Sequence, residues 1–227
     1  VFSRFLRTLK NYGYNFCENQ EKQIVYCPNY GIPQNRRRLV IVASRLGPIE
    51  LIPPTHASGS HRTVRQALKD LPKLSAGEVC RKDPLHRASR LSSMNMKRIS
   101  HSIPGGTWRD WPHELIAKCH REKSGKSYPG VYGRMEWDKP APTITTQFYG
   151  FGNGRFGHPV QNRAISLREG AILQSFPSGY NFIAEDGEYC MKTVGRLIGN
   201  AVPVLLGRAI GNSITDHLEA HCVWQAV

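Results

Sequence analysis

The 227 residues carry 31 Lys and Arg against 17 Asp and Glu, a formal charge of +14, with 40% apolar and 21% charged side chains. Those proportions exclude disordered and collagen-like classes, and the absence of any run of about eighteen apolar residues excludes an uninterrupted membrane span. The charge is concentrated, with +10 between residues 51 and 160 and −1 between 161 and 227. The middle of the chain is therefore the part fitted to a polyanionic partner, the plain alternative being a generally basic surface.

In chain order, Val1 to Tyr12 sets Phe2, Phe5, Leu6 and Leu9 on one helical stripe, with Arg4, Arg7 and Lys10 outside it and Gly13 as its end. Strand-like pieces follow at Tyr14–Cys17 and Gln23–Cys27, then a turn-rich Pro28–Gln34. The apolar run Arg38–Ser44 reads as a buried strand. At Pro53 the texture changes to short segments broken by Pro, Gly, Ser and His, which puts a boundary near residue 54.

Val64–Leu71 is a helix stopped by Pro72, and Pro104-Gly105-Gly106 marks a loop. Thr143–Thr146 is strand-like, and the tract Gly150, Gly152, Gly154 and Gly157 lets backbone approach a ligand closely. Ser166-Leu167-Arg168-Glu169 has capping-box spacing and opens a helix that ends before Pro177. The last helix begins after Asn200, with Pro203 in its first turn and Val204, Leu205, Ala209, Ile210, Ile214 and Leu218 on its apolar face.

The chain opens on neither an initiator Met nor a signal layout, which predicts a piece of a longer, intracellular, non-secreted protein, cytoplasmic and nucleoid-associated if prokaryotic. Six cysteines without a CxxC pair fit a reducing compartment. His217, His221 and Cys222 lack a fourth ligand, so no metal is expected. Glu122–Ser127 ends like a phosphate-binding loop, but His120 stands where that motif requires Gly, which excludes nucleotide hydrolysis.

Three blocks in order resemble the DNA (cytosine-5)-methyltransferase family. Tyr30–Arg38 resembles its QxRxR motif, Arg163–Pro177 its TxRExARLQxFP motif, and Gly199-Asn200-Ala201-Val202-Pro203 its GNxVP motif. Between them, Tyr132–Thr145 is similar to the lead-in of the family's base-recognition loop. The family's FxGxG loop, Pro-Cys nucleophile and Glu-Asn-Val block are not in the sequence, and Cys27-Pro28 has the wrong order, which makes Cys27 a structural thiol.

The resemblance implies an α/β fold: the C-terminal portion of a Rossmann-like S-adenosylmethionine-dependent methyltransferase domain plus a small irregular α+β target-recognition domain. Residues 1–53 would be the late part of the catalytic domain, 54–188 the target-recognition domain, and 189–227 the return to the catalytic domain. In this chemistry a thiolate adds to cytosine C6, so that C5 can take the methyl group from the cofactor sulfonium, and a fixed cation accommodates the charge on the ring. By resemblance Arg38 is that cation, Arg36 orients the catalytic loop or binds phosphate, Gln34 positions the turn, and Arg37 points away and is dispensable.

Asn200, Ala201 and Val202 would meet the amino-acid end of S-adenosylmethionine, with Asn200 as a plain helix N-cap the alternative. Thr145, Gln147, Tyr149, Gly150, Gly152, Asn153, Arg155 and Arg134 are the DNA-binding candidates around a flipped base. Arg168 and Glu169 are read as structural. Expected partners are double-stranded DNA, an N-terminal catalytic half in the same chain or a separate subunit, and a cognate restriction endonuclease, with no membrane. Alone, this piece is expected to be inactive. The alternatives are a separately encoded DNA-binding subunit of a split enzyme and a catalytically dead DNA-binding module.

Overall fold

The apolar stripe near the N-terminus forms α1 (Phe2–Asn11), closed by Gly13 at φ +78°, where a side chain would be strained. No residue of α1 is fully buried: Phe2, Leu6 and Leu9 are half-buried and Phe5 is half exposed, so the stripe is only partly covered. The computed structural model describes residues 1–221 apart from 123, 124, 126 and 184–186. Cys222 and Lys123, Ser124 and Lys126 of the phosphate-loop lookalike lie outside the described residues.

After α1 come β1 (Asn15–Phe16), α2 (Gln20–Gln23), β2 (Ile24–Tyr26), β3 (Gln34–Asn35), β4 (Arg37–Leu39) and β5 (Ala43–Ser44). The middle of the chain holds α3 (Val64–Leu68), β6 (Val79–Cys80), β7 (Asp83–Arg87), α4 (Ser93–His101), α5 (Lys118–Arg121) and β8 (Ala141–Pro142). It ends in α6 (Leu167–Leu173), α7 (Met191–Asn200) and α8 (Val204–Ala220). The architecture is mixed α/β.

The described strands pair only in twos: β1 with β5, β2 with β4 and β6 with β7 antiparallel, and β3 with β8 parallel. This corrects the reading of Arg38–Ser44 as one buried strand. The run divides between β4 and β5, Arg37, Arg38 and Leu39 are exposed, and no residue from Val40 to Ser44 is fully buried. A two-stranded ladder leaves strand edges and faces open, so apolar sequence alone cannot bury them.

Thr143–Thr146 is likewise not a strand beyond Pro142. Its polar groups turn to β3 instead: Thr143 Oγ1 donates to the Asn35 carbonyl at 2.8 Å and the Ile144 N–H to Gln34 Oε1 at 2.9 Å. Side chains thus replace the ladder. The capping box expected at Ser166 and Glu169 forms at the start of α6, and the structure adds one the sequence analysis does not name, Thr63 with Gln66 at α3. Helices α4 and α7 had no counterpart in the sequence reading.

Three apolar clusters organise the fold. The largest joins Val64 and Leu68 of α3, Leu85 of β7, Ile144, Phe148 and Leu173 to Val194 and Ile198 of α7, and so crosses the boundary expected at residue 188. A second is aromatic, built on Ile99, Trp108, Trp111, Leu115 and Phe151. The third packs Val25, Cys27 and Ile32 against Leu206 of α8. Met191–Ala220 has the length and composition of a membrane span, but α7 ends at Asn200, Pro203 caps α8, and α7 is seated in the core.

Candidate functional site

The site begins with Gln34, the first polar residue after the turn Cys27–Tyr30, whose left-handed Gly31 at φ +75° sends the chain into β3. Gln34 is fully buried, where an unpaired amide would cost on the order of 1–3 kcal/mol per group. Every polar end is used. Its Nε2 donates to Gln174 Oε1 at 2.9 Å and to the Leu173 carbonyl at 3.2 Å, and its Oε1 accepts from Ile144 N–H.

Gln174, at the end of α6, continues the relay by donating to the Ile198 carbonyl at 2.8 Å and the Gly199 carbonyl at 3.4 Å. One buried amide chain therefore joins the QxRxR, LQxFP and GNxVP blocks. Gln174 lies within the LQxFP block, and nothing in its local sequence marks it as the junction of the three.

Arg36 is also buried, donating to the Ile144 carbonyl at 3.1 Å and Gln34 Oε1 at 3.4 Å. No carboxylate faces it, and its Nε has no partner among the described residues. Burial, then the charge of Arg38, lowers its pKa from the usual arginine value. Arg38 is exposed and donates to the Arg37 carbonyl at 2.7 Å, while Arg37 lies over the Tyr26 ring at 5.4 Å. Cys27 is fully buried and burial raises its thiol pKa against the opposing pull of Arg36 and Arg38, which suits an inert thiol.

Asn200 is the last residue of α7 and is exposed; Pro203, not Asn200, caps α8. The N-cap alternative is thereby set aside. The Asn200 amide makes no side-chain hydrogen bond among the described residues, Ala201 is half-buried and Val202 is 60% exposed. Just before it, Gly199 sits against the Thr145 and Thr146 backbone so closely that a Cβ would not fit. Gln34, Arg36, Thr145 and Asn200 are thus brought to one locus from distant stretches of chain.

The glycine tract forms a tight loop. The Gln147 carbonyl accepts from the Gly150 N–H at 3.0 Å and Asn153 Nδ2 at 3.1 Å, which uses one end of the Asn153 amide. The Gln147 side chain is exposed and makes no hydrogen bond among the described residues, and Thr145 is exposed. Tyr149 is half-buried against Gly195 of α7, and Gly152 lies on the Tyr132 ring.

Of the two arginines expected to reach DNA, Arg134 is buried and Arg155 is half-buried. Arg134 is 5% exposed and donates to the carbonyls of Ile99, Ser102, His158 and Gln161 and to Asn162 Oδ1. Burial lowers its pKa, and its guanidinium is fully committed to tying three chain segments together. Arg155 donates to the Gly105 carbonyl and packs over Gly133. The cause at Arg134 is local: carbonyls left unpaired by short, irregular strands need a donor with several N–H groups.

Arg163 and Glu169 form a fully buried, bidentate pair at 2.6 and 2.7 Å, and Arg168 pairs with Asp83 at 2.6 Å. Burial alone would raise the Glu169 pKa, but the Arg163 hydrogen bonds and charge hold it down at about 2. Beside it, burial pushes His158 down to about 4 against the pull of Glu169. His158 Nδ1 accepts two backbone N–H groups, from Val160 and Gln161, so a proton there would meet two donors. These groups are the frame of residues 54–188. His217, which bonds Ser44 Oγ at 2.8 Å, meets the His221 ring at 4.3 Å with a 49° tilt, and no group of three metal-ligating side chains occurs among the described residues.

Comparison with known proteins matches this geometry to a family. The family model for C-5 cytosine-specific DNA methylase matches residues 1–216. The chain is 56% identical over 219 residues to the Type II methylase M.HgiDII of Herpetosiphon aurantiacus, covering 96% of this chain and 60% of that protein. It is 35% identical over 204 residues to the Type II methyltransferase M1.BsuMI of Bacillus subtilis, covering 89% and 44%.

The chain thus spans about half the length of these relatives. Among solved structures, an E. coli prophage protein described as a DNA modification methyltransferase superposes with a TM-score of 0.64 at 17% identity, over 96% of this chain and 64% of that one. That likeness concerns the fold alone. On the family match and the relay joining its sequence blocks, the chain belongs to the C-5 cytosine-specific DNA methylases.

Proposed function

We propose that the chain is the C-terminal part of a DNA (cytosine-5)-methyltransferase, which grips duplex DNA and completes an active site whose nucleophile is carried elsewhere. The observation that carries this reading is the buried relay from Gln34 through Gln174 to Gly199, because it brings the buried Arg36, with no carboxylate partner among the described residues, and the exposed Asn200 amide to the start of the glycine loop. Unlike Arg134, whose five donors are all taken by oxygens, Arg36 keeps its Nε without a partner among the described residues, which leaves it a donor to offer. In this reading residues 1–53 and 189–227 belong to a Rossmann-like catalytic domain and 54–188 form the target-recognition domain.

The division of labour follows from exposure. Arg38, exposed beside the buried Arg36, would hold its guanidinium against the carbonyl edge of a flipped cytosine and disperse charge as the ring is attacked. Arg36 would hold the loop that carries the nucleophile. Thr145 and Gln147 would meet phosphate and a base edge, with the basic surface of residues 51–160 supplying grip.

The Asn200 amide, one donor pair and one acceptor, fits the amino-acid end of S-adenosylmethionine. The bound cofactor would supply an electrophilic methyl group on a sulfonium. The relatives M.HgiDII and M1.BsuMI are Type II modification enzymes, which supports an intracellular role alongside a cognate restriction endonuclease.

The test is transfer of labelled methyl from S-adenosylmethionine to cytosine-rich duplex DNA, by this chain alone and mixed with an N-terminal half bearing the Pro-Cys and Glu-Asn-Val motifs. Activity only in the mixture is expected. Activity of the chain alone overturns the missing-nucleophile reading, and salt-sensitive DNA binding with no activity in either tube favours a binding module.

A further inference from the structure

The glycine loop is nailed at two points into two different cores. Phe148, with no exposed surface, lies in the largest cluster over Gly170 of α6, where a Cβ would collide with its ring. Three residues on, Phe151 is 2% exposed and enters the aromatic cluster, edge-on to Tyr132 with centroids 5.4 Å apart at 71°. Tyr132 in turn meets Trp111 at 5.7 Å, and Gly152 leans on its ring.

Tyr132 has φ +59°, a conformation strained for a residue with a side chain, which persists only where surroundings impose it. Here the strained backbone puts the ring under the loop. The loop's own hydrogen bonds, through the Gln147 carbonyl, fix only its internal shape. Its position is set at its start by α7, through Gly199 and Gly195, and beyond that by the two phenylalanines, of which Phe151 alone reaches the aromatic core.

Resting on the proposed function, we propose that Phe151 is a specificity-determining positioning residue: seated on Tyr132, it sets how Gln147 and Asn153 are presented to the base edges of duplex DNA. It touches no base itself. Without the ring, the segment from Gly150 to Asn153 keeps only the contact of Gly152 with Tyr132, and the geometry a side chain needs to tell one base pair from another is loosened. Phosphate contacts, which tolerate movement, remain.

The experiment selects bound sequences from a randomised duplex pool with the full-length gene product. Wild type is expected to enrich one sequence. Phe151→Ala should hold the pool with an unchanged salt slope yet discriminate about tenfold less, and Phe151→Leu should recover most of the loss. Adding Gln147→Ala to Phe151→Ala should cost little further discrimination, because the positioned group is already lost.

Equal enrichment by Phe151→Ala, or fully additive losses, overturns the proposal. Wild type that binds without preference overturns the parent reading and this one with it. Should Phe151→Ala fail to fold by near-UV circular dichroism, Phe151→Leu alone decides, with about threefold weaker discrimination expected and equal discrimination overturning it.

Discussion

Gln34 and Gln174, 140 positions apart in sequence, share a 2.9 Å side-chain hydrogen bond that lies completely out of solvent. The bond is one step of a relay that ends on the Ile198 and Gly199 carbonyls, so the turn bearing Asn200 is set by β3. Gln174→Ala should lower stability by about 2–3 kcal/mol in chemical denaturation, from stranded partners and a small cavity. The double variant Gln34→Ala/Gln174→Ala should cost less than the sum of the two single changes.

Arg37 and Arg38 are neighbours with different assignments, and substitution separates them. In the complemented enzyme, Arg38→Ala should reduce methyl transfer by about 100-fold or more while DNA affinity changes little. Arg37→Ala, which loses only a surface contact with Tyr26, should leave the rate within a factor of about two.

Arg134→Lys should act on folding and not on DNA. A lysine cannot reach four carbonyls and Asn162 at once, so a loss on the order of 3 kcal/mol is expected in thermal or denaturant unfolding. The salt dependence of DNA binding by the folded fraction should be unchanged, because the guanidinium neutralises no phosphate.

Acid should destabilise the protein in two separate windows. His158, held at about 4 in the fold against an ordinary value of 6.5, binds its proton first in the unfolded chain, so stability falls as the pH drops from 6.5 toward 4 and levels off below. Glu169, held at about 2, gives stability that is full above its ordinary 4.5 and lost as the pH falls from there toward 2. Denaturation midpoints between pH 7.5 and 3 should show both limbs, and His158→Gln should remove the upper one.

Gly195 and Gly199 stand one helical turn apart on α7 and receive Tyr149 and the Thr145–Thr146 backbone. Gly199→Ala should push the loop off the helix and destabilise by about 1–3 kcal/mol, because backbone cannot step aside. Gly207→Ala on α8, with open space around it, should be neutral or slightly stabilising. Comparing melting temperatures of the two variants checks the distinction.

Local features were legible because their causes are local. A capping box needs only Ser166 and Glu169 three residues apart, and the α1 stripe needs only its own spacing. The family blocks were equally plain, since Gln34, Arg36 and Asn200 keep their order and neighbours along the chain.

The sequence by itself determined which residues could be polar, apolar or flexible, and to which family their order belongs. Only the tertiary structure decided which arginines remain free. Arg36, Arg38, Arg134 and Arg163 look alike in a string, yet Arg134 is consumed by carbonyls and Arg163 by Glu169, while Arg36 is buried without a carboxylate and Arg38 is exposed. The reason is that a guanidinium's role is fixed by which acceptors come within about 3 Å, and those acceptors are supplied by residues far away in sequence.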